Sequence, residues 1–75
     1  MHTEYKTSDI ILASTLKVNG YEMLSIEKSG NKGTFVFKNV KDNFLVEYDL
    51  GKILVEPIIF NQAIKSLTTA VRRMV

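Results

Sequence analysis

Thr7, Ser8 and Asp9 set two hydroxyls and a carboxylate side by side at the start of an apolar run. A serine nucleophile needs a general base within hydrogen-bond reach. The sole histidine is His2, near the start of the chain, and Lys6 is the nearest other basic group. The same residue types also start helices. Ser8 is placed to accept from the free N–H groups of a first turn, and Asp9 would then meet the positive end of the helix dipole. Capping, not catalysis, is the expected role.

Ser29-Gly30-Asn31-Lys32-Gly33 has the glycines and lysine of a phosphate loop. Such a loop follows a strand, opens a helix and sets its lysine before Ser or Thr. Here strand patterns flank both sides, which predicts a hairpin turn. Asp42, Glu47 and Asp49 are carboxylates that could meet, but solvated surface acids are far commoner. Cysteine is absent, so neither a disulfide nor a thiolate zinc site can form. No catalytic residue, cofactor or metal ligand is assigned.

Lys65, Arg72 and Arg73 are the only charged residues of the span 57–75, whereas residues 1–56 hold seven Lys and eight acids. An acid-free helix with Lys65 and Arg72 one heptad apart has the form of a phosphate-contacting face. The net charge is only +2, and Lys outnumbers Arg eight to two, although Arg is the commonest base reader. No aromatic lies on that polar face for base stacking. Nucleic-acid contact through Lys65, Arg72 and Arg73 is therefore the alternative reading and protein interaction the first.

The elements that must carry these residues follow from periodicity. A helix is predicted after Ser8, ending at Asn19-Gly20, where glycine takes the left-handed C′ position. Leu12, Ala13 and Leu16 share one face of it and Ile11 and Val18 another, while Ile10 falls on the side expected to be wet. Met23–Ile26 and Thr34–Lys38 read as the strands of a hairpin. With Ser29–Lys32 as its loop, Lys28 pairs with Gly33, Ile26 faces Phe35 and Leu24 faces Phe37, giving one apolar face. Residues 41–50 fit a strand or a helix, with the helix favoured, and Ile53-Leu54-Val55 fits a short third strand.

Pro57 suits the first position of a last helix. Phe60, Ile64, Leu67, Val71 and Met74 recur at spacings of four, three, four and three, widened by Ala63 and Ala70. That stripe is expected to cover the hairpin's apolar face. An 18-residue helix would run about 27 Å, against about 17 Å for five-residue strands. The helix should overhang the sheet and leave its end free to meet a second copy.

The chain has 75 residues, 45% of them apolar and 24% charged. One domain spanning residues 1–75 is expected, of α+β class: an N-terminal helix, an antiparallel hairpin, a third helical or extended segment, and a long amphipathic C-terminal helix on the sheet. A chain this short buries only about 60% of its unfolded surface, so its stability margin is thin. Without disulfide or metal, dense packing or oligomerisation must supply the rest. No apolar run approaches the roughly 18 residues of a membrane span. The polar, acid-containing start is unlike a signal peptide, so a cytoplasmic protein without a membrane partner is expected.

Tyr5-Lys6-Thr7-Ser8-Asp9 opening a helix, then "GYEMLSIEK", then "TFVFK", then a glycine-ended segment leading to "VEP" and a final helix, resembles a family of short bacterial and phage proteins known only as a domain of unknown function. The resemblance runs from Tyr5 to about Arg73. It implies a phage or mobile-element setting and brings no activity, cofactor or catalytic residue. The expected function is a small non-enzymatic interaction protein. It is expected to act by binding a partner and to self-associate, as a homodimer, through Ile10, Leu67, Val71 and Met74.

Overall fold

The computed structural model describes residues 4–30 and 32–74. His2 and Asn31, which enter the reading above, lie outside the described residues. The element order is β1 (Glu4–Thr7), α1 (Ile10–Val18), β2 (Met23–Ser29), β3 (Lys32–Lys38), α2 (Asp42–Asp49) and α3 (Pro57–Arg72). The sheet is three-stranded and antiparallel, ordered β1-β3-β2. This is the expected α+β class, with one strand ahead of the first helix.

That strand, β1, comes from Tyr5-Lys6-Thr7, the residues expected merely to lead into α1. Tyr5 and Thr7 are half-buried and alternate with exposed Glu4 and Lys6, the period of a strand with one covered face. The third strand is thus β1. Ile53-Leu54-Val55 is neither strand nor helix, which corrects the expectation for that segment. The helix expected over 41–50 is present as α2.

The hairpin register is the predicted one near the turn: Lys28 pairs with Gly33 and Ile26 with Phe35. It then slips. Met23, not Leu24, pairs with Phe37, because a bulge lies between Met23 and Ser25. One extra residue in a strand turns its side chain off the covered face. Leu24 is accordingly exposed, and Met23 packs against the core instead.

Leu12, Ala13, Leu16, Phe35, Phe37 and Leu67 form the buried core, with Tyr5, Ile10, Tyr21, Met23 and Ile26 among the half-buried side chains against it. The opposite sheet face carries Val36 and an ion pair, Lys6 Nζ to Glu27 Oε2 at 3.5 Å. Both its partners are about half exposed, so it contributes little.

Helix ends are set by local chemistry. α1 and α2 stop the same way. Gly20 and Gly51 take φ of 89° and 73°. Each donates to the carbonyl three residues back, while Tyr21 and Lys52 donate to Leu16 and Glu47. This double bond pattern is the Schellman motif. α3 begins with Pro57 at its first turn, capped by Glu56, whose Oε1 accepts from the Ile59 N–H at 2.9 Å.

α3 lies along α1 and reaches the sheet at Leu67 and Val71. Gly33 marks the contact: a Cβ there would stand 2.9 Å from Val71 Cγ2. Ile10, expected on a wet face, is half-buried against the core, and its neighbour Ile11 is the exposed one.

Candidate functional site

The Thr7-Ser8-Asp9 group is accounted for by backbone hydrogen bonds. Asp9, not Ser8, caps α1: its Oδ1 accepts from Ile11 N–H at 2.9 Å and Leu12 N–H at 3.4 Å. Thr7 Oγ1 accepts from Asp9 N–H at 3.1 Å, which bends the chain from β1 into the helix. The cap sits one residue later than expected because β1 continues through Thr7, which leaves Ser8 as a connector.

Ser8 instead lines a groove of about 300 Å³ where the start of α1, the start of β3 and the end of α3 meet. Ile10, Phe35 and Val71 form its apolar wall, over Gly33, and Ser8, Thr68 and Arg72 its polar rim. Among the described residues of this lining, no His, Asp, Glu or Lys stands beside the two hydroxyls. A second groove of about 310 Å³ separates α1 from α3 beside Val18, Ile59 and Ala63. Both are small for ligand pockets, and their similar size singles out neither.

The carboxylates do not converge either. Among the described residues no group of three or more His, Asp or Glu is placed to hold a metal ion. Burial, reinforced by the charges of Asp9 and Asp49, raises the pKa of the Tyr48 phenol above its ordinary value of 10.0. The ring packs against the core one turn beyond Phe44, which meets Tyr21 edge-on with ring centroids 5.1 Å apart. These contacts dock α2 against the core and the segment that follows α1, and account for its aromatic spacing by packing.

The residues expected at a self-contact fall in three environments. Leu67 is 1% exposed and belongs to the core. Ile10 and Val71 are half-buried against that core. Met74 stays on the surface. The stripe on α3 is therefore largely used within the chain, with Met74 as its exposed member. Lys65, Arg72 and Arg73 are all exposed, and among the described residues none of them forms an ion pair.

The apolar surface lies elsewhere. Of the eight exposed large apolar residues described, Val46, Leu50, Leu54, Ile58 and Ile59 fall in one stretch running from α2 into α3. Leu54 is the extreme, at 89% exposed. In sequence the runs at Ile53–Val55 and Ile58–Phe60 look like a core strand and a helix start, and nothing in them marks which side chains stay wet.

Fold and surface together define a small α+β domain, built on a three-stranded sheet and carrying an apolar segment between its last two helices. The chain belongs to the family described as Domain of unknown function (DUF5659), whose model matches residues 2–68. No curated protein and no solved structure matches it. No helix among the described residues is long and apolar enough to cross a membrane.

Proposed function

We propose that this chain is a small non-enzymatic interaction protein that self-associates and acts by binding a partner, in a phage or mobile-element setting. The observation that carries the proposal is the run of exposed apolar side chains at Val46, Leu50, Leu54, Ile58 and Ile59. Single exposed apolar residues are normal on any surface. Five within one connecting stretch of chain is a concentration that gains by being covered, at about 1.5–3 kcal/mol for each Leu or Ile fully buried. The contact expected on the Leu67 stripe moves to this segment, since Leu67 and Val71 already have partners inside the chain.

Light scattering at micromolar concentration tests the proposal. A mass of two chains is expected, falling to one on Ile58→Asp and unchanged on Lys65→Glu. A single-chain mass for the native protein at every concentration overturns it.

Nucleic-acid binding is the second reading, favoured by one observation: Lys65 and Arg72 of α3 and Arg73 at its C-cap are exposed and, among the described residues, in no ion pair. Three cations set a low ceiling, since each phosphate neutralised adds only about 0.9 to the salt slope on duplex DNA. A gel shift at low salt that disappears at moderate salt and on Arg72→Ala would support it over the first reading.

A further inference from the structure

Residues 52–56, Lys-Ile-Leu-Val-Glu, join α2 to α3. Among the described residues, no hydrogen bond involves the backbone of Ile53, Leu54 or Val55. Exposure nonetheless alternates along the segment. Lys52, Leu54 and Glu56 are exposed, while Ile53 and Val55 are half-buried. A period of two is what a strand shows when one of its faces lies on the body of a protein. Glu56 has extended backbone, with φ −73° and ψ 125°. A strand-like stretch with unpaired N–H and C=O groups is a template for pairing with another chain.

The outward side chains name that chain. Lys52, Leu54 and Glu56 are symmetric about Leu54 with the charge inverted. We infer that residues 52–56 pair antiparallel with the same residues of a second copy, about a twofold axis at Leu54. This rests on the self-association reading and supplies its surface. In this register Leu54 meets Leu54, Ile53 meets the partner's Val55, and Lys52 meets the partner's Glu56, twice over. A register centred on Ile53 sets Lys52 against the partner's Leu54. One centred on Val55 sets Glu56 against it. Only the Leu54 register pairs both charges. Neither Lys52 nor Glu56 is in an ion pair within the described chain. Glu56 commits only Oε1 to the cap of α3, so Oε2 is left to accept from the partner's Lys52.

The native chain contains no cysteine, so single-cysteine variants report the register directly. Opposed residues of an antiparallel pair have Cα atoms about 4.5–5.5 Å apart, within the range a disulfide spans. Leu54→Cys, at a highly exposed position, is expected to give a covalent dimer under a mild oxidant. Lys52→Cys is not, because its two copies would stand about 13 Å apart along the ribbon. Lys52→Glu opposes like charges at both ends and is expected to weaken the native dimer about tenfold. A native dimer that Ile58→Cys cross-links and Leu54→Cys does not would overturn the pairing while leaving self-association standing. A native monomer at every concentration would overturn both.

Discussion

Three neighbouring residues, Thr7, Ser8 and Asp9, are each chemically able to cap a helix, and the hydrogen bonds divide the work unequally. Asp9 Oδ1 holds two N–H groups of α1, and Thr7 Oγ1 holds the N–H of Asp9. Asp9→Ala is therefore expected to cost about 1 kcal/mol, and Ser8→Ala almost nothing, in matched urea unfolding curves. The helix start was legible in the sequence. Which of three capping types takes the cap was not, because that depends on where β1 ends. Ser14 raises the opposite case. It is 0% exposed, and among the described residues its hydroxyl has no hydrogen-bond partner. A buried polar group without a partner costs roughly 1–3 kcal/mol, and alanine is the best helix former. Ser14→Ala is expected to raise the melting temperature, by about 4–8 °C per kcal/mol gained for a domain of this size. An unchanged or lower value would mean the hydroxyl finds a partner in solution.

At the scale of elements, packing decides what periodicity leaves open. Gly33 opens β3 directly beneath Val71 of α3, where a Cβ would come within 2.9 Å of a methyl. Valine is stiff about χ1 and cannot swing aside easily. Gly33→Ala is expected to cost about 1–3 kcal/mol through overpacking. Val71→Ala in the same chain should recover part of that loss, a coupling that a double-mutant cycle measures. Additive costs would show that the two residues do not touch. Several elements could be read from the chain alone. Gly20 and Gly51 end helices, Pro57 starts one, and Ile26 opposite Phe35 fixes the hairpin near its turn. Those signals are local. What escaped depends on distant neighbours. The four residues of β1 are too few for a pattern and become a strand only because β3 lies alongside. The bulge at Leu24 reads in sequence as ordinary alternation. Ile53-Leu54-Val55 has strand composition but, among the described residues, no strand beside it.

For the whole molecule, the question is which apolar surface stabilises the domain and which is left over. Leu67 belongs to the first kind, at 1% exposed, and Ile58 to the second. Leu67→Asp buries an unpaired carboxylate and is expected to unfold a domain with so thin a margin. Ile58→Asp is expected to keep the native circular dichroism spectrum and melting transition of the single chain while changing the mass in solution. If the two variants behaved alike, the division between core and surface drawn here would fail. The stripe of α3 was legible in the sequence. Its partner was not, because the same spacing suits α1, the sheet or another molecule equally.

Edges govern how a sheet protein behaves when crowded. β1 and β2 are the outer strands here. β1 offers four residues, and β2 is interrupted by its bulge. Short and kinked edges resist the strand-by-strand growth that turns folded proteins into fibres. A contact built on a twofold axis also closes on itself, whereas a head-to-tail contact runs on without limit. Concentrated native protein is expected to remain clear and to give no thioflavin signal. Deleting Leu24 would straighten β2 without moving Met23 from Phe37 or Ser25 from Val36. That deletion is expected to leave a longer, straighter edge strand and to promote polymerisation.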